Sequence, residues 1–281
     1  MTANSEIDFQ GPIVTASVQM VSTPRVDENI ARMNYWVGQA AERGAQLVLL
    51  PEYFCLMGDD GDKVRIREPH GTGADSPIQR ALSQAASRYR VWLIGGTVPL
   101  VASTPDRVRN AVLVYGPDGI ERARYDKIHL FAFTKGSESY NEAKTIEPGE
   151  TPIVCQTIAG RTGLSVCYDL RFPELYRRLA PLNLIVMPAA FTYTTGKVHW
   201  ELLIRARAVE NQCYVLASAQ GGLHENGRRT WGQSMLVDPW GEILAQLPTG
   251  EGLVLGKMEP ERLREIRANL PALNHRQFNE H

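Results

Sequence analysis

Short apolar runs alternate with amphipathic helical segments along most of the chain, and this alternation constrains the fold more than any other feature. Residues 12–20 read as a strand, and the apolar residues of 26–40 recur at steps of four and three, which predicts a helix that ends at Gly44. Further elements are predicted at 46–50, 77–89, 91–98, 110–115, 121–127, 162–167, from about 173, and at 183–188, 197–212, 214–220, 234–247, 252–258 and 260–270. This order predicts a layered α/β domain with one mixed sheet or two sheets.

Charge and composition exclude several classes of function. A formal net charge of −1 provides neither the basic footprint of a nucleic-acid-binding protein nor a polybasic membrane patch. No apolar run reaches the roughly 20 residues that a membrane span needs, and residues 1–10 lack the basic and apolar parts of a signal peptide. We therefore expect a cytoplasmic protein that binds neither nucleic acid nor membrane.

The cysteines and histidines do not form a metal-binding pattern. Cys55, Cys155, Cys167 and Cys213 are widely spaced without a CxxC pair, and no HExxH motif is present. Reduced thiols are expected in a chain without an export signal, and no structural metal is predicted. We expect Cys55, Cys155 and Cys213 to be core residues.

Three polar residues follow predicted strands from different parts of the chain. Glu52 follows the apolar run LVLL and a proline, Lys127 ends ARYDK, and Cys167 closes GLSVC. Each has a structural explanation alone: a loop acid, a solvated lysine and a core cysteine. Active sites of open α/β sheets, however, form at the carboxyl ends of strands, where these three residues would meet.

The residue types fit one mechanism. The segment at Cys167 is similar to a nucleophile elbow, in which a sharp turn exposes the nucleophile and the next backbone N–H faces an oxyanion. A thiol becomes a good nucleophile through a base or a nearby cation. Glu52 would be that base and Lys127 that cation, whereas no histidine lies near Cys167 in the sequence to form a papain-like pair.

These motifs resemble the three signature blocks of the nitrilase superfamily of carbon–nitrogen hydrolases. The blocks are LPEYF with Glu52, YDKIHLF with Lys127 and GLSVCYDLRFPELYR with Cys167, and they occur in the family's order. The resemblance extends over about 13–267, and the block NEAKTIEPG places Glu142 on a second active-site glutamate of the family.

One branch of the superfamily is more similar than the others. The amidase branch, which contains omega-amidases and deaminated-glutathione amidases, resembles this chain in PAAFTYTTGKVHWELLIRARAVENQCYV and SMLVDPWGE. The deaminated-glutathione amidases look closer in AQGGLHENGRRTWGQS. Relatives often carry an acidic residue after HLF, where this chain has Ala132, so the segment 130–140 is expected to shape the pocket differently.

The resemblance implies a four-layer αββα sandwich, in which two mixed sheets pack face to face with helices outside. It implies one hydrolase domain over 1–281, with a core of about 12–268, and a homodimer or higher homo-oligomer. The tail, 269–281, is expected to contact the partner.

The implied reaction is the hydrolysis of a small primary amide without a cofactor. Cys167 attacks the amide carbon, and Glu52 takes the thiol proton and later gives one to the departing ammonia. Lys127 and the backbone N–H of Tyr168 hold the oxyanion, and water hydrolyses the resulting thioester. Glu142 positions Lys127 or the substrate.

Residues beside the signature blocks are candidates for the substrate pocket. An acidic substrate needs a nearby cation, for which Arg171 and Lys197 are the first candidates. We expect Asp169 to pair with Arg171 or to bond the backbone. The predicted pocket residues are Tyr53, Phe54, Tyr168, Arg171 and Phe191.

In the predicted helix over 197–212, three side chains are given structural roles. Arg205 and Arg207 are expected to form ion pairs with Glu201 or Glu210 at helical spacing. His199 is expected to cap or bond within the same helix.

The same residues are compatible with other functions. An omega-amidase acting on dicarboxylic monoamides, a nitrilase, an N-carbamoyl hydrolase and an acyl transferase would all use Glu52, Lys127 and Cys167. A binding protein without catalysis is a different class, and the intact set argues against it because a scaffold needs no reactive thiol.

Overall fold

The computed structural model of the chain describes residues 9–136 and 138–277, which form strands and helices in alternation. The strands are β1 Ile13–Gln19, β2 Leu47–Leu49, β3 Trp92–Ile94, β4 Val98–Val101, β5 Val108–Tyr115, β6 Glu121–Asp126, β7 Ala132–Lys135, β8 Glu138–Asn141, β9 Val154–Thr157, β10 Gly160–Leu164, β11 Leu184–Ala189, β12 Tyr214–Ala219, β13 Ser234–Val237, β14 Ile243–Leu247 and β15 Gly252–Met258. The helices are α1 Val26–Glu42, α2 Asp60–Arg65, α3 Pro77–Tyr89, α4 Pro173–Leu179, α5 Tyr193–Asn211 and α6 Pro260–Asn269.

Two mixed sheets organise the molecule. The first has the order β15-β1-β2-β3-β5-β4, with β6 paired to β5, and the second has the order β14-β13-β12-β11-β10-β9. In each sheet three strands run parallel, β1-β2-β3 and β10-β11-β12, and antiparallel strands flank them. A separate hairpin, β7-β8, precedes the second sheet in the chain.

The central strands are apolar on both faces because each sheet is covered twice. Successive strand side chains point to opposite faces, and on β2 Leu47 and Leu49 join the core shared with the second sheet, whereas Val48 joins the core under α1 and α3. On the far side, Trp200 of α5 packs into the core of the second sheet. The predicted four-layer αββα sandwich is confirmed.

Two predicted elements begin or end elsewhere for local reasons. The strand predicted at 162–167 ends at Leu164, because Cys167 has φ +50° and starts a 3₁₀ turn rather than continuing the ladder. The helix predicted at 197–212 starts at Tyr193, because the Thr192 side chain accepts a hydrogen bond from the N–H of Thr195 and caps it.

The strand predicted at 91–98 is divided by a glycine that positions the later site. Gly96 has φ +55°, and a Cβ at this position would collide with the carbonyl oxygen of Pro51. A glycine is therefore required where the loop that carries Glu52 passes over the end of β3.

Leu47 is fully buried in the core between the sheets, so shortening its side chain should destabilise the fold strongly. We expect Leu47→Ala to lower the free energy of unfolding by about 2–5 kcal/mol, because it leaves a cavity between the sheets. The control, Leu223→Ala, changes a side chain that is 70% exposed. It should change the free energy of unfolding by less than about 0.5 kcal/mol. Urea denaturation measures both, and equal losses would contradict this packing.

Candidate active site

A fully buried ammonium lies at the centre of the site. Lys127 directly follows β6, and its Nζ lies 2.9 Å from Oε1 of Glu52 and 2.7 Å from Oε2 of Glu142. Burial by itself lowers the pKa of Lys127, but the charges of Glu142 and Glu52 outweigh it and raise the pKa above its ordinary value. The lysine therefore stays protonated.

Groups from both sheets hold Glu52. Its Oε1 also accepts a hydrogen bond of 3.0 Å from Nδ2 of Asn110 on β5, and its Oε2 accepts one of 3.0 Å from the N–H of Ala190 after β11. The carboxylate is thus fixed where the carboxyl ends of β2 and β11 meet.

Glu142 is held at both oxygens. Its Oε1 accepts a hydrogen bond of 2.8 Å from the hydroxyl of Tyr53, and its Oε2 accepts one of 2.8 Å from the N–H of Phe131. Burial raises the pKa of Glu142, but Lys127 and the N–H of Phe131 overcome that effect and lower it. Glu142 is therefore an ionised, fixed partner of Lys127.

Cys167 sits on a strained backbone at the wall of a pocket. Its φ of +50° is a left-handed conformation that side chains other than glycine rarely adopt. The pocket is narrow. Its wall includes Glu142, Cys167, Tyr168, Arg171, Phe191 and Arg228.

The thiol is protonated at rest. Burial raises the pKa of Cys167 well above its ordinary value, and the charge of Glu52 raises it further, whereas Lys127 opposes the shift. A nearby base is therefore needed to make the thiolate at neutral pH.

A buried carboxylate fixes the turn at Cys167. Oδ2 of Asp169 accepts hydrogen bonds of 2.8 Å from the N–H of Val166 and the hydroxyl of Tyr125. Its Oδ1 accepts one of 3.1 Å from the N–H of His129 and lies 2.7 Å from the ring Nδ1 of the same residue. Of the two expectations for Asp169, the backbone bond is confirmed. Arg171 instead lies 3.3 Å from Nδ1 of His199.

The predicted pocket residues divide into three groups. Tyr168, Arg171 and Phe191 lie in the pocket wall, and their contact with a substrate stays a prediction. Tyr53 is buried, and its hydroxyl donates a hydrogen bond to Glu142. The prediction for Phe54 is wrong, because its ring is fully buried in the core between the first sheet and its helices.

The N–H of Tyr168, expected at the oxyanion, belongs to the second residue of the 3₁₀ turn 167–171. The first N–H groups of a helical turn have no partner within it. This position is compatible with an oxyanion donor, and the role itself stays a prediction.

Sequence reasoning missed several groups of the site. Asn110 is a polar residue at the head of the apolar run NAVLVY, and this contrast was an available signal. The backbone donors of Phe131 and Ala190 carry no signal in their side chains. Arg228 lies in a polar loop, where its sequence context does not separate it from Arg229.

Most structural roles predicted for the remaining residues are confirmed. Cys55, Cys155 and Cys213 are buried. The ion pairs in α5 join Arg205 to Glu201 at 3.5 Å and Arg207 to Glu210 at 2.7 Å.

His199 differs from its prediction, because its ring faces Arg171 of the 3₁₀ turn rather than a group of its own helix.

Two features are absent from residues 9–136 and 138–277. They contain no group of three or more His, Cys, Asp or Glu side chains placed to hold a metal ion. None of the helices in these ranges is long and apolar enough to cross a membrane.

Comparison with known proteins identifies the family. The model of the carbon-nitrogen hydrolase family matches residues 14–268. The chain belongs to this family.

Curated relatives cover nearly the whole chain. A deaminated glutathione amidase of Synechocystis sp. (strain PCC 6803 / GT-S) is 38% identical over 273 residues, which are 95% of this chain and 99% of that protein. One from Yersinia enterocolitica is 40% identical over 268 residues, 94% and 92% of the two chains. An omega-amidase of Homo sapiens is 36% identical over 259 residues, 91% and 92%.

Solved structures share the fold. Saccharomyces cerevisiae Nit3, a member of branch 10 of the nitrilase superfamily, has a TM-score of 0.87 at 29% identity and covers 96% of this chain and 98% of its own. An amidase of Nesterenkonia sp. AN1, solved with acrylamide added at its active-site cysteine, has a TM-score of 0.76 at 25% identity, with coverages of 92% and 98%.

The electrostatics of the site predict a measurable shift at Cys167. Since the charge of Glu52 raises the pKa of this thiol, Glu52→Gln should lower the pH at which Cys167 becomes a thiolate. The rate of iodoacetamide labelling against pH reports that midpoint, with Cys167→Ser as the background control. An unchanged or higher midpoint in Glu52→Gln would contradict the coupling.

Proposed function

We propose that the chain is an amidase in which Cys167 forms a thioester with the acyl part of a small carboxylate or peptide-like substrate. The observation that carries the proposal is a thiol on a strained turn, in a pocket whose wall also contains Glu142 and beside the buried pair Glu52–Lys127. The Nesterenkonia amidase supports it, since that protein carries its adduct at a cysteine.

In the first step the sulfur of Cys167 attacks the amide carbon while Glu52 accepts the thiol proton. This division of roles fits the raised pKa of Cys167, which leaves little thiolate without a base. The C–N bond then breaks as Glu52 returns the proton to the departing nitrogen.

Lys127 and the N–H of Tyr168 stabilise the oxyanion formed in this step. A lysine ammonium has three N–H donors, and the contacts of Lys127 with Glu52 and Glu142 use two. The third remains for the substrate oxygen, and Glu142 positions the ammonium for that contact.

Water completes the reaction. Glu52 takes a proton from the water as its oxygen adds to the thioester carbon, and the C–S bond breaks to release the acid. The departing sulfur regains the proton, so the enzyme returns to its starting state.

The leaving group distinguishes two candidate substrates, both suggested by relatives. Glutathione contains only N-substituted amides, so hydrolysis of its deaminated form releases an amine and not the ammonia expected from the sequence. A dicarboxylic monoamide, the substrate class expected of an omega-amidase, releases ammonia. We favour the first, because the relatives at 38% and 40% identity are deaminated glutathione amidases.

Chromatography of the acid product detects the hydrolysis of either amide. Decarbamoylation is distinguished by the carbon dioxide that it also releases. Conversion of neither amide would contradict the proposal.

Two substitutions test the assigned roles. Cys167→Ser and Glu52→Gln should each lower kcat/KM for amide hydrolysis by about 10²–10⁴-fold, the loss typical of a positioned acid–base group or its nucleophile. Cys213→Ser, at a cysteine that is buried in the core, is the matched control and should retain activity. A folded Cys167→Ser protein with near-normal rates would contradict the assignment.

We also propose a homodimer formed through α5, with residues 269–277 of the tail contributing contacts; the rest of the predicted tail, 278–281, lies outside the described residues. Exposed apolar side chains recur along this helix at Val198, Leu202 and Val209, which are 60%, 67% and 48% exposed, and Trp240 is 58% exposed. Apolar surface of this kind is typical of protein–protein contacts.

Leu202→Asp should convert the dimer to a monomer in size-exclusion chromatography with light scattering, because it places a charge in the apolar contact. Ile120→Asp, at a side chain that is 57% exposed in the turn before β6, is the control. A wild-type monomer, or an unchanged Leu202→Asp dimer, would contradict the interface.

A further inference from the structure

The guanidinium of Arg228 is held at the pocket wall with hydrogen-bonding capacity left over. Its Cζ lies 5.9 Å from the ring centre of Tyr53 and 5.3 Å from that of Tyr140. One nitrogen, Nη2, donates a hydrogen bond of 3.1 Å to the carbonyl oxygen of Ala190. These contacts fix the position of the group in the pocket wall that also contains Cys167.

The Nε of Arg228 is buried and makes no hydrogen bond to any residue within 9–136 and 138–277. A guanidinium carries five N–H donors and no acceptor. A desolvated donor without a partner is costly, and most costly on a charged group. An anion bound in the pocket would supply the missing acceptor.

The charges of the pocket favour the same ligand. Glu142 lies in the wall, but its oxygens are engaged by Lys127, Tyr53 and the N–H of Phe131. Arg171 adds a second positive charge to the wall. The two arginines therefore outnumber the one carboxylate among the charged side chains that the described residues contribute to the wall.

We propose that Arg228 is the residue that binds a carboxylate on the acyl half of the substrate and that discriminates such a substrate from its neutral analogue. The planar fork of arginine matches a carboxylate through two parallel hydrogen bonds. The acyl half stays on Cys167 until the thioester is hydrolysed, so this contact serves both steps. The inference rests on the proposed function, since it assigns a substrate-binding residue to the same site.

The kinetic test uses a dicarboxylic acid monoamide and the methyl ester of the same compound. Arg228→Met should lower kcat/KM for the free acid roughly 10- to 100-fold, mainly through KM, because a charge-assisted contact is lost. The ester should change by less than about threefold. Arg228→Lys should recover part of the loss, because it restores the charge without the fork.

Arg229→Met is the matched control, because Arg229 is adjacent and exposed, and its guanidinium covers the ring of Tyr193 at 3.7 Å. It should leave both substrates unchanged. Equal losses on acid and ester, or no loss on the acid, in Arg228→Met would overturn the inference.

A binding measurement separates this inference from the proposed function. Titration calorimetry of Cys167→Ala with a dicarboxylate needs no turnover, and Arg228→Met in that background should weaken binding by a similar factor. If wild-type protein hydrolyses no amide while binding depends on Arg228, the proposed function fails and carboxylate binding by Arg228 stands. If amides are hydrolysed but binding is the same with and without Arg228, the inference alone fails.

Discussion

The site depends on one buried ammonium shared by two carboxylates. Lys127 is surrounded by Glu52 and Glu142, so the three charges leave a net negative charge in the interior. Buried charges are costly unless they are paired and hydrogen-bonded. The remaining oxygens are satisfied by Asn110, Tyr53 and the N–H groups of Phe131 and Ala190. Asn110 lies on β5 of the first sheet, and Ala190 follows β11 of the second. The charged site can therefore exist only where the two sheets pack together.

The net negative charge of this group favours the protonated form of the nucleophile. With Glu52 nearby and little water, Cys167 rests as a thiol, and it becomes reactive when a proton moves to the carboxylate. The left-handed backbone at Cys167 is maintained by Asp169, which accepts a hydrogen bond from the N–H of Val166 just before it. Strain at a reactive residue is typical of active sites, where the surrounding structure compensates for it.

The sequence predicted the layers and the grouping of Glu52, Lys127, Glu142 and Cys167, because apolar periodicity and signature motifs are local patterns. It did not predict contacts that depend on tertiary packing. The bond from the N–H of Ala190 to Glu52 joins residues far apart in the chain. Phe54 lies two residues after Glu52, yet its ring packs in the core between the first sheet and its helices, whereas Tyr53 packs with Met57 and Ala190. The buried Nε of Arg228 lacks a hydrogen-bond partner among the residues that the structure describes because of its tertiary surroundings, and these have no signature in the sequence.

The central claim is a thioester at Cys167, and partitioning of the acyl group tests it most directly. Two substrates with the same acyl group and different leaving groups, an amide and an ester, are hydrolysed in the presence of hydroxylamine, and Cys167→Ala corrects for the uncatalysed reaction. A shared thioester predicts the same ratio of hydroxamate to acid from both substrates at every hydroxylamine concentration. A ratio that changes with the leaving group would contradict a common acyl-enzyme.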